Sequence, residues 1–417
     1  MKKVLARFTE EEKASWKLFI WAWLVYAMIS MVKNVYSSAI GSITAEGLFD
    51  KSLTGTINAG FYLFYGGAQL VGMKLLDKLS PTKMITISLI GTLIACVGMA
   101  FARSFVALLI LWSFCGLMQF SIWPSILRVV SEYMLSEHQS RAKVYISFSY
   151  CAGMFITYFI ASIVLKISTW PMLFIVAAVI MALCSAGWVH TVKSTEKILT
   201  NQQITTAKTQ STVQKSDMSF LKIMVTSGIA LMLFANFARS ALDLGVKSWV
   251  PTMMMEIYGI SDSFASVLTT VLVFINLGGI FIAGWIFPRL TKNLAWGYGL
   301  TFFFALPFTI LLLFTGQIHI ALVVLFLTVV TTMMYAGHQF INVLIPAYFA
   351  KYGKAGSMAA AINSVACFGI MVSNIGFGYL AENFGWNATI WSWVILSAVG
   401  VLSCGLAAPF WKKFTKE

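Results

Sequence analysis

Twelve apolar runs of membrane-span length divide this chain and constrain what it can fold into. They lie at about 16–40, 52–75, 83–102, 104–127, 143–166, 170–191, 221–246, 264–287, 295–316, 319–345, 356–380 and 387–411. About 20 apolar residues carry an α-helix across the hydrocarbon core of a bilayer. Soluble domains hold about 25% charged residues, whereas this chain is 11% charged and 59% hydrophobic. A bilayer can solvate that much apolar surface and water cannot. The expectation is an all-α polytopic membrane protein with twelve transmembrane helices. The third and fourth runs nearly fuse, and Arg103 marks the cut between them.

The basic residues test this count. The formal net charge is +14. In a soluble chain that excess points to nucleic acid; here the basic residues sit in short loops, so no nucleic-acid partner is expected. Twelve spans put both termini on one side. That side collects Lys2, Lys3, Arg7, Lys13 and Lys17, then Lys78, Lys83, Arg141 and Lys143, then the lysines of residues 193–215. Arg289, Lys292, Lys351, Lys354 and the C-terminal lysines follow on the same side. The opposite side holds little beyond Lys51, Arg103 and Lys166. Positive-inside bias makes the basic side cytoplasmic. The expected location is the cell inner (plasma) membrane, with the lipid bilayer as partner. No cleavable leader is expected, because the charged N-terminus runs straight into a span-length segment.

Residues 194–217 are polar, rich in Thr and Gln, and free of aromatics. They read as a cytoplasmic linker between two six-helix bundles, 1–193 and 218–417. The bundles share a pattern: Gly66-Gly67 then Gly72 in the second run, and Gly278-Gly279 then Gly284 in the eighth. A repeated six-helix unit with its site between the copies is a common transporter plan. The six cysteines all fall in apolar runs with no disulfide or metal-ligand spacing. The chain carries no nucleotide-binding loop, metal cluster or nucleophile–base pair. An enzyme, a cofactor or a bound metal is therefore not expected.

Ionisable residues inside spans are the site candidates, since each costs roughly 2.5–3.5 kcal/mol on insertion scales. Lys33 lies near mid-depth of the first span with no acid close in sequence. It needs a partner from elsewhere or an anionic substrate, unless it snorkels to an interface. Arg239, Asp243 and Lys247 recur at four-residue steps, which drift only about 40° each around a helix. They read as a substrate-facing stripe, with Asp243 a candidate for proton coupling. The plain alternative is a structural Arg239–Asp243 pair with Lys247 reaching the outer headgroups. His338 and Asn342, with Gln339, form a polar cluster in the tenth span. Gln119, Tyr150 and Asn363 are lone polar residues that either line the cavity or bond between helices. Arg128 pairs with Glu132 or with loop acids on this reading, and Asp77, Lys78, Lys83, Arg141 and Arg289 belong to loop charge pairs that latch one access state.

Several of these stretches resemble the major facilitator superfamily. Asp77-Lys78-Leu79-Ser80-Pro81-Thr82-Lys83 is similar to its loop after the second span, with Met73 where a glycine is usual. Four stretches resemble the organophosphate:phosphate antiporters and related organic-anion symporters. They are that loop; Gly116-x-x-Gln119-x-x-x-Trp123-Pro124-x-x-x-Arg128 with Glu137 and Arg141; Trp249-Val250-Pro251-Thr252 ending the seventh span; and Phe384-Gly385-Trp386. Lys33-Asn34 matches that family's polar pair in the first span. The two arginines with which those antiporters hold phosphate fall at Val32 and Asp243, and their fifth-span histidine is absent near Ala152.

The resemblance implies two pseudo-symmetric six-helix bundles rocking about a central site, and a monomer. The expected function is secondary active transport of a small organic anion: a sugar phosphate, a hexuronate or another carboxylate. A proton or a counter-anion would be the coupled species. Lys33 and Arg239 lie in opposite halves, placed to clasp an anion from both sides. Two other readings stay open on the sequence: a proton-coupled exporter of amphiphilic compounds, and a transporter-like membrane sensor.

Overall fold

A computed structural model describes residues 9–71, 79–134, 136–207, 220–349, 352 and 354–416. Twelve long helices cover almost all of them. In the first half these are α1 (Glu10–Ala45), α2 (Lys51–Val71), α3 (Pro81–Phe101), α4 (Phe105–Tyr133), α5 (Ser136–Ile167) and α6 (Trp170–Ala207). The second half holds α7 (Ile229–Tyr258), α8 (Asp262–Leu290), α9 (Leu294–Phe314), α10 (Ile320–Phe349), α11 (Ala355–Asn383) and α12 (Gly385–Lys416). A short helix, Phe220–Thr226, precedes α7.

Local chemistry sets the helix ends. Thr9 and Glu12 cap α1 reciprocally, through N–H···O bonds of 3.2 and 2.7 Å. The break expected at Arg103 is present, and its guanidinium donates to the Ala100 and Ala102 carbonyls that close α3. Gly385 takes φ +79° between α11 and α12, a conformation costly for any residue with a Cβ. Residues 194–207, expected as linker, instead prolong α6 as helix. They contain neither Gly nor Pro to stop it; residues 208–217 of that linker lie outside the described residues.

Eleven of the described helices are long and apolar enough to cross a membrane. The twelfth, α2, has 21 residues, about 31 Å at a rise of about 1.5 Å per residue. It is more polar because Thr54, Asn58 and Gln69 are buried along it, and its neighbour from the other half is α11. The two backbones nearly touch. A Cβ on Gly55 would lie 2.2 Å from the Asn374 carbonyl oxygen, and one on Gly378 would lie 2.5 Å from that of Lys51. The matching joint on the other side pairs α5 with α8: Ser263 Oγ donates to the Ser162 carbonyl at 2.5 Å, and Phe155 packs on Phe274.

One end of the molecule, at the α1–α2 and α7–α8 turns, is tied across the halves. Lys51 Nζ sits 3.2 Å from Glu256 and 3.4 Å from Glu382. Ser42 donates to Asp262. Asn58 Nδ2 donates to Asn374 Oδ1 at 2.8 Å, and Ser37 and Ser248 share a hydrogen bond of 3.1 Å. Toward the end that bears the termini, hydrogen bonds between described residues of the two halves stop at Gln69–Asn363. All six cysteines are buried and unpaired.

Candidate functional site

The chemistry concentrates where α1, α2 and α5 face α7, α10 and α11. On α7 the helix opens into a π-turn at Ala241–Gly245. Eight residues of regular α-helix drift by about 80°. One π-turn absorbs an extra residue, about 100°, so Lys247 returns to within about 20° of Arg239. Asp243 lies between them. Its Oδ1 accepts from Lys247 Nζ and its Oδ2 accepts from Arg239 Nη1 at 3.4 Å. All three side chains are buried, with Lys247 only 2% exposed. Lys247 therefore does not reach the outer headgroups, as the plain alternative had it.

A proline extends this arrangement. Trp249-Val250-Pro251-Thr252 does not end the seventh span: α7 continues through Pro251 to Tyr258. Pro251 has no N–H for the carbonyl four residues earlier, that of Lys247. The Tyr158 hydroxyl, from α5 in the opposite half, donates to that carbonyl at 3.3 Å. Neighbouring residues fix Arg239. Its Nε donates to Asn236 Oδ1 at 2.9 Å, and Asn236 in turn donates to the Ile362 carbonyl of α11. Gly337 on α10 leaves room beside it: a Cβ there would lie 3.4 Å from Arg239 Cδ and 3.0 Å from Tyr298.

Lys33 of α1 sits apart from this cluster in an aromatic pocket. Its ammonium lies 4.1 Å from the ring centre of Tyr65, 5.4 Å from Tyr62 and 5.9 Å from Phe61. It makes no hydrogen bond or ion pair with a described residue. Cation–π contact of this kind steadies a cation without neutralising it. Val32 is fully buried, and Asn34 Nδ2 is spent on the Ser30 carbonyl at 2.8 Å within α1.

The remaining candidates divide. Tyr335 links the halves through a 2.7 Å contact with Cys151, stacks on His338 and lies under Lys247 at 5.9 Å. His338 Nδ1 and Asn342 Nδ2 are buried without partners among the described residues, and Asn342 falls in a second π-turn, Phe340–Leu344. Tyr150 packs near Tyr26, which packs at a tilt on Trp123 with ring centres 4.9 Å apart. Gln119 is buried with its Oε1 unpaired. Asn363 donates to Gln69 across the halves.

The loop residues lie away from this cluster. Arg128 bonds Glu132 at 2.7 Å and the Leu79 carbonyl at 3.0 Å. Lys83, Arg141 and Arg289 are exposed, and Arg289 lies over Trp285. Asp77 and Lys78 lie outside the described residues. The sequence reading missed Asn58, Asn374, Lys51, Glu256 and Glu382. Asn58 and Asn374, lone polar residues within apolar runs, were the available signal.

The family model of the Major Facilitator Superfamily matches residues 22–374. The chain belongs to that superfamily. Its relatives include two probable hexose phosphate transport proteins. That of Chlamydia trachomatis serovar D is 19% identical, with 95% of this chain and 90% of the relative covered. That of Chlamydia muridarum is also 19% identical, with 94% and 89% covered. Among solved structures, a bacterial homologue of the human lysosomal transporter Spinster, inward-facing and unoccupied, superposes with TM-score 0.76 at 14% identity. It covers 96% of this chain and 98% of that one. A D-xylose–proton symporter superposes with TM-score 0.70 at 14% identity, covering 95% and 97%. The fold is therefore the superfamily's twelve-helix, two-bundle fold, and the protein is a membrane transporter.

Proposed function

We propose that this transporter moves a small organic anion, best matched in charge by a phosphate monoester such as a sugar phosphate. The observation that carries this reading is Lys33, a cation without a counter-ion among the described residues, set across the interface from Arg239 and Lys247. Three cations and one carboxylate leave the site with two positive charges. A phosphate monoester carries about −1.5 to −2 charges near pH 7, whereas a hexuronate carries one. The names of the chlamydial relatives support the same class.

Asp243 acts as the resident counter-anion of Arg239 and Lys247. A phosphate brings more charge and more acceptor oxygens than one carboxylate. It competes with Asp243 for Lys247 and Arg239 while Lys33 closes from the other half. Gripping one anion from both halves favours the state in which they meet, and that bias drives alternating access. Protonation of Asp243 would free the same two cations, so a proton or a counter-anion is the coupled species. His338, Asn342, Gln119, Tyr150 and Asn363 serve as polar contacts for the remainder of the substrate. The reading takes 1–193 and 218–417 as the moving halves of a monomer. It sets that monomer in the inner (plasma) membrane with both termini cytoplasmic.

The test is counterflow in proteoliposomes. Labelled hexose phosphate should enter vesicles preloaded with inorganic phosphate or with the same ester. Counterflow of hexuronate alone would move the substrate to the carboxylates; flux of cationic amphiphiles alone would overturn the anion reading.

A further inference from the structure

At the end that bears the termini, the start of α9 and the last turns of α12 flank an open cavity of about 520 Å³. Its walls include Lys292 and Trp296 from one side, and Trp411, Lys412 and Thr415 from the other. Asn293 pins the walls together: its Oδ1 caps α9 at the Ala295 N–H, and its Nδ2 donates to the Ala408 carbonyl at 3.0 Å. Trp411 is buried and packs on Tyr348. Trp296 is 51% exposed at the rim. Neither lysine forms an ion pair with a described residue, and no carboxylate is among the lining residues.

We infer that this cavity binds the phosphate headgroup of an anionic phospholipid. Two observations point to lipid. Two exposed lysines beside the exposed Trp296 match the level where headgroups meet the hydrocarbon core. Basic pockets between helices recognise anionic headgroups through charge, at about 1 kcal/mol per basic residue near the surface. Farther along α12, Leu402, Leu406 and Phe410 lie one turn apart and are each at least half exposed, an apolar strip for an acyl chain on a helix that also lines the cavity. The inference does not rest on the substrate reading, because the cavity lies away from Lys33 and Asp243.

The experiment compares thermal unfolding of the purified full chain in detergent after adding phosphatidylglycerol, phosphatidylcholine or inorganic phosphate. A ligand of the folded state raises the apparent melting temperature by mass action. Phosphatidylglycerol should raise it more than phosphatidylcholine does. The extra rise should vanish in the Lys292→Gln/Lys412→Gln variant and persist in a control variant, Lys13→Gln/Lys193→Gln, whose lysines lie at the same end. Both pairs are exposed, so each variant should keep the fold, and native mass spectrometry would count the retained lipid. An equal rise with inorganic phosphate would overturn the lipid assignment. So would a phosphatidylglycerol effect that survives in Lys292→Gln/Lys412→Gln, or the absence of any such effect.

Discussion

The Tyr158 hydroxyl donates to the Lys247 carbonyl that Pro251 leaves without a helical partner. The bond crosses the halves and ends on the residue whose ammonium holds Asp243. Tyr158→Phe should cost about 1–3 kcal/mol, the penalty for an orphaned buried acceptor. Pro251→Ala returns an N–H to α7. In a Tyr158→Phe/Pro251→Ala double variant the loss should therefore be smaller than the sum of the single losses. Thermal unfolding of the four proteins measures the coupling, and simple additivity would show that the two sites are independent.

Asp243 is the only carboxylate shared by Arg239 and Lys247 among the described residues. Asp243→Ala removes it and leaves two buried cations facing each other, which should cost about 3–5 kcal/mol. Asp243→Asn keeps the shape but not the charge. It should retain counterflow while separating transport from a proton gradient, read with a pH-sensitive dye inside the vesicles. If proton movement is unchanged, Asp243 is not the coupling residue.

Lys51 holds Glu256 and Glu382, from α7 and α11, at the closed end. Lys51→Ala should favour opening there. A cysteine placed at Ser42 on a cysteine-free background should then react faster with a membrane-impermeant thiol reagent. Stability should change little, because partly exposed pairs contribute about 0–1 kcal/mol. An unchanged labelling rate would remove Lys51 from the gate.

Gly55 allows α2 to meet α11, since a Cβ there would lie 2.2 Å from the Asn374 carbonyl oxygen. Gly55→Ala forces these backbones apart. It should weaken the Asn58–Asn374 bond and lower transport more than membrane abundance. Wild-type transport would show that the close approach is dispensable.

The spans, the Arg103 break and the Arg128–Glu132 pair were legible because apolar periodicity and charge are local in sequence. The π-turn in α7 was not, because no periodic signal marks one extra residue in a turn. It decides that Lys247 is buried against Asp243 instead of lying near headgroups. Nor does the sequence show that Asn34, next to Lys33, donates to the Ser30 carbonyl of its own helix. Asn58–Asn374 and Lys51–Glu382 pair residues more than 300 positions apart, and the order of the runs does not say which helices meet. The helical residues 194–207 were hidden by their polarity, which indicates solvent exposure without specifying coil.

The most direct measurement of the central claim is thermal stabilisation of the purified protein by a panel of phosphate monoesters, hexuronates and cationic amphiphiles, repeated on Lys33→Ala. The account predicts the largest rise with a phosphate monoester. It also predicts that Lys33→Ala weakens that binding by about 10- to 100-fold, as loss of a charged contact of about 1.5–3 kcal/mol requires. Stabilisation by cations alone, or by anions equally in Lys33→Ala, would contradict it.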